Sequence, residues 1–347
     1  MGNRHMAKTL NILMTCVGRR VSLVQAFRRT LDDLGLKGQV FAADWSPLAP
    51  AFYAADKGFL VPGVNSPDYV EVLLNICRQC EIGLVIPLID TELITLARAR
   101  ERFTETGARL LLSSLDVVEI CRDKRKTFEF LSAHGIGTPK VLSYEEALKG
   151  PFPVVVKERS GSSTRNVRQV SRPAGLSFVH RSKLDFIIQE YVHGAEFTID
   201  VYAGLDGVPR VAVPRQRIQV RAGEVSKART TRHPDLIREA LRLVEVLRGC
   251  VGVITAQCRL TRKGAVKFFD VNPRFGGGVP LAIRAGADFP RWIIEEHLGR
   301  KPNIDPNAWE DDLLMLRYDE AIFRRLEELP ERGKETSMPE RVRPEFP

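Results

Sequence analysis

Two rhythms of apolar and polar positions share the first hundred residues. Short, nearly continuous apolar runs at 10–18 (LNILMTCVG), 39–46 (QVFAADWS), 83–90 (GLVIPLID) and 108–114 (ARLLLSS) read as buried strands. Between them, 19–35, 67–82 and 91–107 place apolar residues at helical spacing, and Gly35 stands where the first helix should stop. Strands alternating with helices predict a parallel, Rossmann-like α/β sheet over 7–115. Its first turn, 17–20 (VGRR), lacks the GxGxxG pattern, so a dinucleotide role has little support. Ligands of such sheets gather at the carboxyl ends of strands, which makes Gly18, Asp44 and the Asp90-Thr91-Glu92 turn a candidate crevice. Helix capping and loop roles explain the same residues equally well.

Past residue 115 the texture changes. A charged helix over 116–139 leads into strands at 151–158 (PFPVVVKE), 167–172, 185–191, 196–204 and 210–220. A long helical stretch at 233–249 precedes two more strands, 253–261 (VITAQCRLT) and 265–272 (AVKFFDVN). Strands joined by short turns predict antiparallel sheet, so this part reads as α+β. From 301 to 347 the chain is polar and proline-rich, and a loosely packed or disordered extension is expected there. Residues 1–6 (MGNRHM) read as a cloning remnant and are set aside.

Composition narrows the picture only a little. The 347 residues, 44% hydrophobic and 27% charged, suit a multidomain globular protein. No apolar run approaches a membrane span, no secretory pattern opens the chain, and a cytoplasmic setting is expected. Six scattered cysteines include the pair Cys77 and Cys80, which helical periodicity makes two helix-face thiols more readily than a metal or redox motif. The net charge of +9 suits an anionic partner. The basic residues form no tail and are not interleaved with aromatics, so phosphorylated small molecules fit at least as well as nucleic acid, and no nucleic-acid or membrane partner is expected.

The chemistry concentrates in a few stretches. Lys157 ends an apolar strand directly before Ser160, Gly161, Ser162 and Ser163; a lysine beside a small-residue loop can clamp phosphate, although a solvated strand-end lysine is the simpler reading of that stretch alone. Residues 268–278 (FFDVNPRFGGG) place Asp270, Asn272 and Arg274 on one strand face, where unpaired polar groups would be costly if buried. Arg215, Arg217 and Arg221 alternate along another strand with Lys227 beyond, either as a solvated edge or as a positive wall.

The order of these stretches resembles the ATP-grasp superfamily, in particular the small single-unit members like the carbamoyl-phosphate synthetase large subunit. The resemblance covers roughly 10–300 and rests on Lys124, Lys157, the segment 187–200 (IIQEYVHGAEFTID), Gln257 and the Asp270-x-Asn272 pair. It implies a pre-ATP-grasp domain over 7–115 and a two-subdomain ATP-grasp fold over 116–300 with a lid at about 140–192. It further implies ATP as cofactor, with Lys124, Lys157 and the Ser160–Ser163 loop on the phosphates. Gln189, Glu190, Tyr191 and Val192 would form the adenine hinge, and Glu196 would hold the ribose. Gln257, Asp270 and Asn272 would hold Mg²⁺ or Mn²⁺, and Asp270 departs from the more usual Glu. Arg274, Arg215 and Lys227 are the expected catalytic cations. The implied reaction is ATP-dependent activation of a carboxylate as an acyl-phosphate for attack by an amine. Carbamoyl-phosphate or carboxyphosphate chemistry, or a non-catalytic ATP-binding module, are the alternatives. The resemblance leaves a homodimer open.

Overall fold

The computed structural model describes residues 9–161, 166–221, 223–330 and 336–337. Residues 1–6 and the loop residues Ser162 and Ser163 therefore lie outside the described residues. The chain divides into two compact units: 1–112 with 297–300 and 319–347, and 113–296 with 301–318.

The first unit is built on five parallel strands, β1 (Asn11–Thr15), β2 (Val40–Asp44), β3 (Lys57–Leu60), β4 (Ile82–Pro87) and β5 (Arg109–Leu110), in the order β3-β2-β1-β4-β5. β1 is central, and its Ile12, Leu13 and Met14 have no exposed surface, as expected for a strand covered on both faces. The helix Val21–Asp33 buries Leu23, Val24, Phe27 and Leu31, the apolar residues of one stripe.

The second unit holds two antiparallel sheets. The smaller contains β6 (Val141–Leu142), β7 (Val154–Glu158), β8 (Arg168–Val170) and β9 (Phe186–Glu190), ordered β6-β9-β7-β8. The larger contains β10 (Ala195–Ala203), β11 (Pro209–Arg221), β12 (Glu224–Thr230), β13 (Gly252–Leu260), β14 (Val266–Asn272) and β15 (Leu314–Leu316), ordered β14-β13-β10-β11-β12-β15. Its two faces differ sharply. One carries Ile199 and Val201 of β10 with Ile254, Ala256 and Cys258 of β13, packed against Leu236, Ala240 and Leu243 of the helix Pro234–Val246. Fully burying each such leucine contributes about 1.5–3 kcal/mol. The other face is polar and forms the site described below.

The tail corrects one expectation. Residues 301–318 are no loose extension: β15 pairs with β12, Leu313 and Met315 pack on Val225, Ala228 and Leu281, and Trp309 is buried under the guanidinium of Arg232. Beyond them, Thr336–Ser337 adds an antiparallel edge to β3. The short apolar run 313–316 (LLML) was hidden by the polar average of the segment.

Candidate active site

The pairing register lays the polar face out as a grid. Asp270, Gln257, Thr198 and Arg215 stand opposite one another across β14, β13, β10 and β11. One row along are Asn272, Thr255 and Asp200, and on the other side Arg259 faces Glu196. Residues directly opposite in a ladder project to the same side, so strands far apart in sequence converge on one surface.

Simple alternation would put Phe268 beside Asp270. The ladder instead pairs Gln257 with Asp270 and Cys258 with Phe268, leaving Phe269 as an extra residue in a bulge. The bulge turns Phe268 into the core with no exposed surface while Asp270 stays on the polar face. It also directs the Phe269 carbonyl to Lys157, whose Nζ donates to it at 2.8 Å and lies 5.6 Å from the Phe269 ring centroid.

Lys157 thereby reaches the large sheet from β7 of the small one, and only 5% of it is exposed. Burial pushes its ammonium down to about 8; the Asp270 carboxylate pulls the other way and Lys124 adds to the fall. Lys124 starts the helix Lys124–Ala133 and donates from Nζ to the Gly161 carbonyl at 2.6 Å. Its placement comes from Asp123, which caps that helix through the amides of Arg125 and Lys126 and is ion-paired with Arg159 at 2.6 Å. Asp270, Asn272 and Arg274 are linked in a chain: Asn272 Nδ2 donates to Asp270 Oδ2 at 2.9 Å, and Arg274 Nη2 donates to Asn272 Oδ1 at 3.3 Å.

Gln189 and Glu190 belong to β9 and its ladder, Gln189 being buried. Tyr191 and Val192 follow the last ladder pair and make no backbone hydrogen bond among the described residues, so their peptide edges are the ones a base could meet. Glu196 lies between two arginines. Oε1 is 2.9 Å from Arg217 Nε, an ion pair whose angle is outside the hydrogen-bond range, and Oε2 accepts from Arg259 Nη2 at 3.0 Å. Arg259 also donates to the Gly194 carbonyl at 3.1 Å and sits 5.2 Å from the Tyr191 ring centroid. The motif order offered no signal for Arg259 or Asp200; only strand pairing brings them in.

Two expected catalytic cations, Arg215 and Lys227, have settings unlike that of Asp270. Arg215 is 1% exposed and held bidentately by Asp200, with Nε–Oδ2 at 2.7 Å and Nη2–Oδ1 at 3.1 Å, so it is no surface ligand. Removing one partner of such a buried pair typically costs about 3–5 kcal/mol. Lys227 is exposed and follows the register position Gln219, while its neighbour Ala228 takes the inward place opposite Arg217. Alternation therefore turns Lys227 away from Asp270 and Gln257. The 276–278 glycines lie over the grid: a Cβ at Gly276 would come 2.8 Å from Thr255 Cγ2, and one at Gly278 would come 2.3 Å from Arg215 Nη1. The amides of Gly276, Gly277 and Gly278 donate to nothing among the described residues.

In the first unit, the expected crevice residues have structural duties. Asp44 accepts from the amides of Gly18 and Ser46 at 2.8 and 3.0 Å. Glu92 is fully buried; it accepts from Tyr69 Oη at 2.6 Å and from the Leu88 and Ile89 amides, and burial pushes its carboxyl up.

Lys157 thus reaches the strand pair that carries Gln257, Asp270 and Asn272, and sequence comparison gives this arrangement a family. Residues 121–278 match the profile of an ATP-grasp domain, and residues 12–111 that of a PylC-like N-terminal domain. The second unit is built around an ATP-grasp domain. A carbamoyl-phosphate synthase of Methanobrevibacter smithii is 28% identical over 155 residues, covering 42% of this chain and 41% of that protein, so the chain matches about two-fifths of the relative's length. Among solved structures, the biotin carboxylase domain of Hydrogenobacter thermophilus 2-oxoglutarate carboxylase, bound to MgADP and bicarbonate, superposes with a TM-score of 0.67 at 17% identity, over 87% of this chain and 73% of that one. An L-amino acid ligase of Bacillus licheniformis gives 0.65 at 18% identity over 84% and 75%. These likenesses establish the fold. No helix of the described residues is long and apolar enough to cross a membrane.

Proposed function

We propose that the chain is an ATP- and Mg²⁺-dependent ligase that activates a carboxylate as an acyl-phosphate for attack by an amine. The observation that carries this reading is the convergence of Lys157, Lys124 and the Gln257, Asp270 and Asn272 oxygens at one end of the polar face. The donor set fits the metal: three hard oxygen ligands, one of them anionic, suit a cation whose charge is balanced mainly by a triphosphate. Gln257, Asp270 and Asn272 would hold Mg²⁺ or Mn²⁺, which supplies charge neutralisation on the phosphates.

The chain's own residues do the rest. Tyr191 and Val192 offer peptide edges to the adenine, and Glu196, oriented by Arg217 and Arg259, accepts from the ribose hydroxyls. Lys124 and Lys157 hold the phosphates, with Ser160 and Gly161 beside them in the loop. A carboxylate oxygen of the acid attacks the γ-phosphorus, the bond to the β,γ-bridging oxygen breaks, and ADP leaves. The amine nitrogen then attacks the acyl carbon, phosphate departs, and the nitrogen loses a proton. Arg274 and the free amides of Gly276, Gly277 and Gly278 receive the negative charge of the acid and its acyl-phosphate. Catalysis of this kind is mainly positioning and electrostatics.

The test is ADP and phosphate release from Mg-ATP with mixtures of amino acids, small carboxylates and ammonium. Release that needs both an acid and an amine is the expected result. Nucleotide binding without ADP release under any mixture would instead mark a non-catalytic ATP-binding module. The carbamoyl-phosphate synthase likeness favours a second reading, with bicarbonate as the acid; stimulation by bicarbonate alone separates it. A cytoplasmic setting and a homodimer complete the proposal, the latter checked by sedimentation.

A further inference from the structure

Beneath the glycine loop lies a buried polar group that the reaction as proposed does not use. Asp200 has no exposed surface, Arg215 is 1% exposed and Thr255 3%. Asp200 takes two of the three guanidinium nitrogens of Arg215. Thr255 Oγ1 stands 3.1 Å from Asp200 Oδ1 and 3.0 Å from the Arg274 carbonyl, and its single proton serves one of them at a time. The third guanidinium nitrogen, Nη1, is buried without a hydrogen-bond partner among the described residues and abuts Gly278. Thr255 likewise abuts Gly276. The group therefore touches the loop at three points: the Arg274 carbonyl, Gly276 and Gly278.

We infer that Asp200, Arg215 and Thr255 form a buried post that sets the geometry of the 274–278 loop, and that Arg215 is a positioning residue for acid-substrate recognition. A buried ion pair adds little net stability over an apolar replacement, so what this pair contributes is the geometry it enforces. The guanidinium is planar and rigid, and it occupies the space that a Cβ at 278 would take; loop and arginine therefore fit only as a pair. With the loop seated on the post, the Gly276, Gly277 and Gly278 amides stay unpaired among the described residues and available to a carboxylate or acyl-phosphate oxygen. A lysine at 215 keeps the charge but cannot hold Asp200 bidentately while filling the place beside Gly278.

This inference rests on the ligase reading above, and its test separates the two. Full-length wild type, Arg215→Lys, Thr255→Val, Gly278→Ala and the Arg215→Lys/Gly278→Ala pair are assayed for ADP release from Mg-ATP. The probes are a mixture of the common L-amino acids with ammonium and, in a second arm, bicarbonate. The post predicts that Arg215→Lys and Thr255→Val raise the half-saturating concentration of the stimulating acid about tenfold or more, with that of ATP changing less than about threefold. It also predicts that Gly278→Ala is the most impaired single variant and that Arg215→Lys partly relieves it, because the atom its methyl strikes has gone. Melting temperatures of the same four variants give the coupling independently of turnover. Unchanged acid dependence in Arg215→Lys and Thr255→Val, or additive effects at 215 and 278 in both readouts, overturns the post and leaves a plain core ion pair. A wild type that no probe stimulates overturns the ligase reading itself.

Discussion

Asp270 is the only anionic side chain among the three proposed metal ligands, and it also accepts from Asn272. Asp270→Ala should abolish Mg-dependent ADP release while the circular dichroism spectrum and melting temperature stay near wild type, since Asp270 lies on the polar face and not in the core. Undiminished ADP release by that variant would sink the metal assignment. Lys157 makes a pH prediction. Its folded value of about 8 lies below the ordinary lysine value, so it is charged at pH 7 and increasingly neutral above 8. Triphosphate favours the charged form, so nucleotide binding should take up a fraction of a proton near pH 8.5 and almost none at pH 6.5. Calorimetry in buffers of different ionisation enthalpy reads this uptake, and Lys157→Met should remove it. The stability sign is opposite: between about pH 8 and the unfolded value the unfolded chain binds more protons, so this group makes stability rise with pH.

At the scale of elements, two backbone irregularities do what regular strands could not. The bulge at Phe269 puts Phe268 in the core, Asp270 on the polar face and a carbonyl on Lys157, three outcomes of one extra residue. The hinge has its own close contact. A Cβ at Gly194 would lie 2.1 Å from the Leu260 carbonyl oxygen, a backbone atom that cannot swing aside. Gly194→Ala should therefore push the hinge off β13, break the Arg259 bond to the Gly194 carbonyl and disturb Glu196. We expect a lower melting temperature and an apparent Kd for ADP weakened by about tenfold, or about 1.4 kcal/mol, readable by calorimetry. An Ala variant binding ADP like wild type would show that the hinge tolerates displacement.

At the scale of the whole molecule, the two units are built on separate sheets, and the proposed nucleotide site lies within the second. Mg-ADP should then protect peptides of 113–296 from limited proteolysis more than those of 9–112. A ligand at about 100 times its Kd adds about 2.7 kcal/mol to the state that binds it. Asp270→Ala should lose much of this protection, because the metal would no longer join nucleotide to sheet. Equal protection of both units would relocate the site. The basic net charge of +9 agrees with a polyanionic substrate, but it is spread over the chain and picks out no surface.

Much of this protein was legible in its sequence. Apolar periodicity predicts the parallel sheet and the antiparallel one, because burial of side chains obeys the period of the element that carries them. The order of Lys124, Lys157, the 189–196 stretch, Gln257 and Asp270-x-Asn272 was sufficient to point to the ATP-grasp domain. What periodicity could not supply were the relations between distant strands. Whether Arg215 faces ligand or Asp200, whether Lys227 points in or out, and which arginine holds Glu196 depend on register, and register is a property of pairs of strands. Averages over the 301–347 segment likewise concealed β15, whose few apolar residues matter only where β12 lies beside them. The stretch 268–278 shows both sides of this division. Its sequence alone announced a polar strand with a purpose, while the bulge that separates Phe268 from Asp270, and the buried post beneath its glycines, were decided by the strands it folds against.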